Sequence, residues 1–161
     1  MRSNSVAAMQ AKIGDYFGEL ARLPEQTVVT DAQGEEISMA DLFPIMIEQF
    51  AGFREGDGKM MFVGNGASAS IASHMALDFS KNGKVPALAF NDAAALTALS
   101  NDEGYDQVFA KQIEYFGAQG DMLVAISSSG NSDNIVKAVR AARAKGCSVL
   151  TFSGLGADNK M

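Results

Sequence analysis

Four hydroxyls crowd into six residues at Ser127-Ser128-Ser129-Gly130-Asn131-Ser132, directly after the apolar run Met122–Ile126 and directly before a helical pattern. A helix N-terminus offers unpaired N–H donors and a partial positive charge, so hydroxyls gathered there can cradle a phosphate without a lysine. The plainer alternative makes Ser132 or Asn131 an N-cap and the other serines loop filler; the density of hydroxyls favours anion binding. A second loop, Gly64-Asn65-Gly66-Ala67-Ser68, follows another apolar run, Met60–Val63. On the helix predicted after it, His74 (the only histidine) and Asp78 stand four residues apart and share a face. Such a pair suits a general acid/base or two ligands of a metal, and equally a hydrogen-bonded histidine beside a solvated charge. Asn101-Asp102 reads as turn chemistry, or as a carboxylate able to accept hydrogen bonds from sugar hydroxyls.

These residues need elements to hold them. Ile13, Tyr16, Phe17 and Leu20 predict a first amphipathic helix closed by Leu23-Pro24, followed by a polar linker or small hairpin over 25–38. Met39, Leu42, Phe43, Met46, Ile47 and Phe50 mark a second helix, with Asp41 as its expected N-cap so that Pro44 falls in the first turn. A turn is expected at 54–58. From Lys59 the pattern changes to short runs that are apolar throughout, at 60–63, 85–90, 122–126 and 148–152. Helices are expected between them at about 68–82, 93–99, 108–116 and from Ile135 to Gly146. Fully apolar strands alternating with helices predict an α/β fold, a parallel sheet with helices on both faces, preceded by N-terminal helices. In such a sheet ligands bind beyond the carboxyl ends of the strands, where both loops emerge.

The chain has 161 residues, 47% hydrophobic and 20% charged, with net charge −6, a composition that fits one globular domain. The acidic balance argues against a nucleic-acid partner, and no apolar run reaches membrane-spanning length. Cys147 stands alone in a strand entry, reads as buried filler, and fits a reducing compartment; with no signal peptide evident, a cytoplasmic location is expected. Gly64-x-Gly66-x-x-Ala69, with Asp92 after the next strand, formally matches a dinucleotide fingerprint. That reading leaves the serine loop without a role, and the two helices ahead of the first sheet strand are unusual for it. No Ser-His-Asp triad is arguable, because neither loop forms a nucleophile elbow.

Gly64-Asn65-Gly66-x-Ser68, His74, Asn101-Asp102 and Ile126-Ser127-Ser128-Ser129-Gly130-Asn131-Ser132 together resemble the SIS (sugar isomerase) domain and, within it, the phosphoheptose isomerases. The match runs from about the second helix to the last residue. The resemblance implies a three-layer, flavodoxin-like sandwich acting on a phosphorylated sugar, interconverting sedoheptulose 7-phosphate and heptose 7-phosphate. It implies that Ser127, Ser128, Ser129 and Ser132 hold the phosphate and that Asn65, Gly66, Ser68 and Asp102 line the sugar. Asp78 falls where the family carries the glutamate that shuttles a proton through an enediol, a side chain shorter by one methylene. His74 matches a histidine that shares a metal with that carboxylate in some members, so a divalent ion such as zinc is an optional rather than a required cofactor. The family assembles as tetramers around its N-terminal helices, which implies a homo-oligomer here. The division expected is 1–58, N-terminal helices and linker with an oligomer contact, and 59–161, the SIS domain. That domain is expected to be cut short, because 153–161 supplies no strand or helix to close the sheet and the family's C-terminal helix, with its partner histidine, is missing. A non-catalytic SIS module that binds a sugar phosphate as a regulator or scaffold is the alternative function.

Overall fold

A computed structural model describes residues 2–56, 58–156 and 158–161. The chain forms two compact units, Met1–Ile47 and Glu48–Met161, with helix α2 running across the division.

In the first unit, α1 spans Arg2–Gln26. It passes through Pro24 instead of ending before it. A proline so near the C-terminus removes a single donor, and Thr27 Oγ1 donates to the Leu23 carbonyl at 2.8 Å to finish the turn. The polar stretch is a hairpin: β1 (Val29–Thr30) and β2 (Glu36–Ile37) pair antiparallel around a turn in which Asp31 Oδ1 accepts from the N–H groups of Gln33 and Glu35. Helix α2 spans Met39–Glu55, and its cap is Ser38, not Asp41. Ser38 Oγ accepts from the Asp41 N–H at 3.1 Å, the N-cap bond, and donates to Asp41 Oδ2 at 2.6 Å. Pro44 therefore lies in the second turn, where it does remove one intrahelical donor.

The second unit is built on four parallel strands in the order β4-β3-β5-β6. Strand β3 is Met60–Gly64, β4 Ala87–Ala89, β5 Met122–Ile126 and β6 Ser148–Phe152. The β4 run is shorter than its apolar pattern because Pro86 has no N–H to give the ladder; its carbonyl still accepts from the Met60 N–H at 2.8 Å. Five helices connect or flank the strands: α2 leads in, then α3 (Ala67–Asp78, continued by a π-helical turn over Phe79–Gly83), α4 (Ala93–Asp102), α5 (Val108–Phe116) and α6 (Asp133–Ala144).

The central strands β3 and β5 are buried on both faces, as expected, whereas β4 is half-buried and β6 is half-buried with exposed ends. Met61, Val63, Leu123 and Ala125 pack with Val108, Phe109 and Ile113 of α5 and Ile135, Ala138, Val139 and Ala142 of α6. On the other face Phe62 meets Phe79 at 5.7 Å between ring centroids, and Phe79 meets Phe50 of α2 at 5.1 Å. At the edge where the strands begin, Asp121 is 2% exposed and accepts from the Lys59 N–H (3.0 Å), the Ala118 N–H (2.9 Å) and Lys59 Nζ (2.5 Å). It ties the start of β3 to the start of β5. Cys147 is buried and free, and burial pushes its thiol up from the ordinary value, in keeping with a packing role.

Candidate functional site

Strands β3 and β5 are neighbours with Gly64 opposite Ile126, so the two loops leave the sheet side by side at the same level. The first requires its glycine. A Cβ on Gly64 would lie 2.6 Å from the Ser68 carbonyl carbon, because α3 begins directly against the strand end. Gly66 takes the N-cap position of α3 without a side-chain bond, and Ser68 is the second residue of the helix, partly buried.

The serine loop is closed by its own groups. Ser127 is buried, and its Oγ lies 3.5 Å from Ser129 Oγ and 3.4 Å from Ser132 Oγ, so three hydroxyls converge where α6 begins. Ser132 has the N-cap backbone conformation, yet its hydroxyl makes no cap bond; it turns to Ser127 instead. The reading of Ser132 as simple N-cap therefore fails at the side chain. Ser128 is exposed and contributes its carbonyl, which accepts from the N–H groups of Gly154 (3.0 Å) and Leu155 (2.9 Å). Gly130 has φ of 63° and packs so tightly on Asn159 that a Cβ would lie 2.4 Å from Asn159 Cγ.

Two residues absent from the sequence-based set hold the loops together. Asn134, 4% exposed in the first turn of α6, exchanges a pair of amide hydrogen bonds with Asn65, each 2.9 Å. Tyr105, in the turn after α4, donates to Asn65 Oδ1 at 3.1 Å. An asparagine two residues past a cap and a tyrosine in Asn-Asp-x-Gly-Tyr were weak signals, since each finds its partner tens of residues away.

Asn101 and Asp102 form the last turn of α4 and not a turn after it, with Asn101 Nδ2 donating to Asp102 Oδ1 at 2.8 Å. Beside them an open cleft of about 390 Å³ is lined by Leu96, Thr97, Ser100, Asn101 and Tyr105, so Tyr105 connects this cleft to the Asn65 loop. Asp92 caps α4, accepting from the Ala95 N–H at 2.8 Å, which gives the carboxylate of the dinucleotide fingerprint a structural task.

His74 and Asp78 do share a face of α3, with Nε2 and Oδ2 3.4 Å apart and side chains 72% and 41% exposed. Asn82 Nδ2 donates to the other carboxylate oxygen at 3.2 Å. The pair makes no hydrogen bond to either loop. Asp78 ends α3, about 16 Å along the axis from Ala67 at a rise of 1.5 Å per residue. As metal ligands the two supply half of a tetrahedral set. Among the described residues no group of three or more His, Cys, Asp or Glu side chains converges, so the donors do not fit a zinc site completed within one chain.

The four-stranded parallel sheet with its adjacent central strands ending in two small-residue loops, each running into a helix, defines an open α/β domain with paired candidate anion-binding loops. The sequence pattern of the SIS domain matches residues 15–154, and the chain belongs to that family. Relatives within the family include phosphoheptose isomerases. That of Nitratidesulfovibrio vulgaris (strain DSM 19637 / Miyazaki F) is 48% identical over 104 residues, 61% of this chain and 50% of the relative. That of Rhodospirillum rubrum is 41% identical over 130 residues, 74% of this chain and 69% of the relative. The chain thus spans about half the length of the first relative and about two thirds of the second. Among solved structures, a phosphoheptose isomerase from Francisella tularensis superposes with a TM-score of 0.72 at 31% identity, covering 93% of this chain and 76% of that one. The Neisseria gonorrhoeae phosphoheptose isomerase gives 0.68 at 32% identity, covering 93% and 77%.

Proposed function

We propose that this chain is the core of a sugar-phosphate aldose–ketose isomerase acting on sedoheptulose 7-phosphate. The observation that carries the reading is the convergence of the Ser127, Ser129 and Ser132 hydroxyls at the start of α6, beside the Asn65 loop. The phosphate end of the substrate sits in that cradle, with Ser128 at its rim, and the sugar extends over Asn65, Gly66 and Ser68 towards Asp102. Isomerisation then moves one proton between adjacent carbons. A carboxylate takes it from the carbon beside the carbonyl, an enediol forms, and the proton returns to the neighbouring carbon while carbonyl and hydroxyl exchange places. Nothing is consumed, and this chemistry calls for no resident cofactor.

Asp78 is the proposed base, with His74 orienting its carboxylate. Because α3 runs from the loops towards the opposite edge of the sheet, Asp78 serves the cradle of a second copy, not its own. The reading therefore includes a homo-oligomer, a tetramer by family resemblance, with the region up to residue 58 supplying contacts between copies. The free, buried Cys147 and the lack of any described helix long and apolar enough to cross a membrane suit a cytoplasmic setting.

Mixed oligomers test both roles. Asp78→Asn and Ser127→Ala/Ser132→Ala should each lose nearly all turnover of sedoheptulose 7-phosphate. Co-assembled from differently tagged chains, they should regain about a quarter of native turnover, since half the cradles and half the bases are intact and pair at random. No recovery would place base and cradle in one chain, and full activity of Asp78→Asn alone would remove it as the base. The exposed, two-ligand character of His74 and Asp78 also supports a second reading, a binding module without catalysis; substrate binding with no turnover in native protein would favour it.

A further inference from the structure

Asn65 and Asn134 lie 69 residues apart in sequence, on different strand–helix units, and meet through both amide groups at once. Each side chain donates one N–H and accepts one in return, which fixes both planes and leaves no freedom to slide. The third bond, from Tyr105 Oη to Asn65 Oδ1, brings in the segment beyond α4 that also lines the open cleft. Asn134 is buried in the first turn of α6, the helix whose start gathers the serine hydroxyls. Asn65 is the first residue past β3. The three side chains therefore join the two ends of the proposed binding site and a wall of the cleft, without adding a hydroxyl to the cradle itself.

We propose that the Asn65–Asn134 amide pair, closed by Tyr105, is a positioning device that sets the spacing between the phosphate cradle and the sugar-binding loop, and so selects for the length of the phosphorylated sugar. This rests on the sugar-phosphate reading of the two loops. Inorganic phosphate occupies the cradle alone and does not sense that spacing. A seven-carbon sugar phosphate spans cradle and loop and does. Loss of the pair should leave the first ligand unaffected and weaken the second, whereas loss of fold weakens both.

The test is calorimetric titration of the full chain and its Asn134→Ala and Tyr105→Phe variants with inorganic phosphate and with sedoheptulose 7-phosphate. Tyr105 is exposed, so its variant guards against a folding failure at the buried Asn134. Phosphate affinity should stay within twofold in both variants. Affinity for the sugar phosphate should fall about five- to tenfold for Asn134→Ala and about threefold for Tyr105→Phe, in line with one to two hydrogen bonds. Unchanged sugar-phosphate binding in Tyr105→Phe, or parallel loss of both ligands in folded variants, overturns the positioning role. If native protein binds phosphate but not the sugar phosphate, the substrate reading itself falls, and the spacing role with it. Turnover is scored separately, so a chain that binds without catalysing still decides the question.

Discussion

At Ser132 the backbone has the conformation of a helix cap while the hydroxyl faces Ser127 at 3.4 Å, and the two roles separate experimentally. A capping serine replaced by alanine costs about 1 kcal/mol of stability. Ser132→Ala should instead leave the thermal midpoint unchanged and weaken inorganic phosphate binding about fivefold, as loss of one hydrogen bond implies. A drop in the midpoint with unchanged affinity would return Ser132 to a structural role. The serines were legible in the sequence because hydroxyl density after an apolar run is a local signal. Asn134 and Tyr105 were not, because their meaning lies in a partner 69 or 40 residues away. Asp78 and His74 were legible as a pair through helical spacing, whereas the absence of bonds from them to either loop emerged only in three dimensions.

The elements followed from periodicity, and their ends did not. Apolar runs at 60–63 and 122–126 placed the central strands, because residues buried on both faces leave an unbroken apolar signature. The N-cap of α2 was misassigned to Asp41 because Ser and Asp are both good caps, and the reciprocal bond between Ser38 and Asp41 depends on geometry that composition does not carry. Asp102 was read as loop although α4 carries it, since Asn and Asp favour turns and helix ends alike. The bond least visible in advance is Asp121, at the opposite end of β5 from the serines. It holds two backbone N–H groups and an ammonium, so Asp121→Ala should destabilise the protein by about 2–3 kcal/mol in urea unfolding. Because the same residue pins the starts of β3 and β5, the loss should also reduce sugar-phosphate binding. A variant of native stability would contradict the pinning role.

On the scale of the whole chain, α1 carries an exposed apolar stripe. Val6, Met9, Ile13, Tyr16, Phe17, Leu20 and Leu23 are all exposed, as are Phe43, Ile45 and Ile47 of α2. Exposed apolar area of this kind suits an interaction surface, in keeping with the homo-oligomer proposed above. Periodicity revealed the part of the stripe at Ile13, Tyr16, Phe17 and Leu20; it carried no information about what covers it. The position of the substrate phosphate tests the proposed function most directly. Crystals of the protein soaked with sedoheptulose 7-phosphate answer that directly. Density for the phosphate should appear among Ser127 Oγ, Ser129 Oγ, Ser132 Oγ and the first N–H groups of α6, with the sugar running towards Asn65 and Asp102. Phosphate density in the Leu96–Tyr105 cleft or elsewhere, with the serine loop empty, would contradict it.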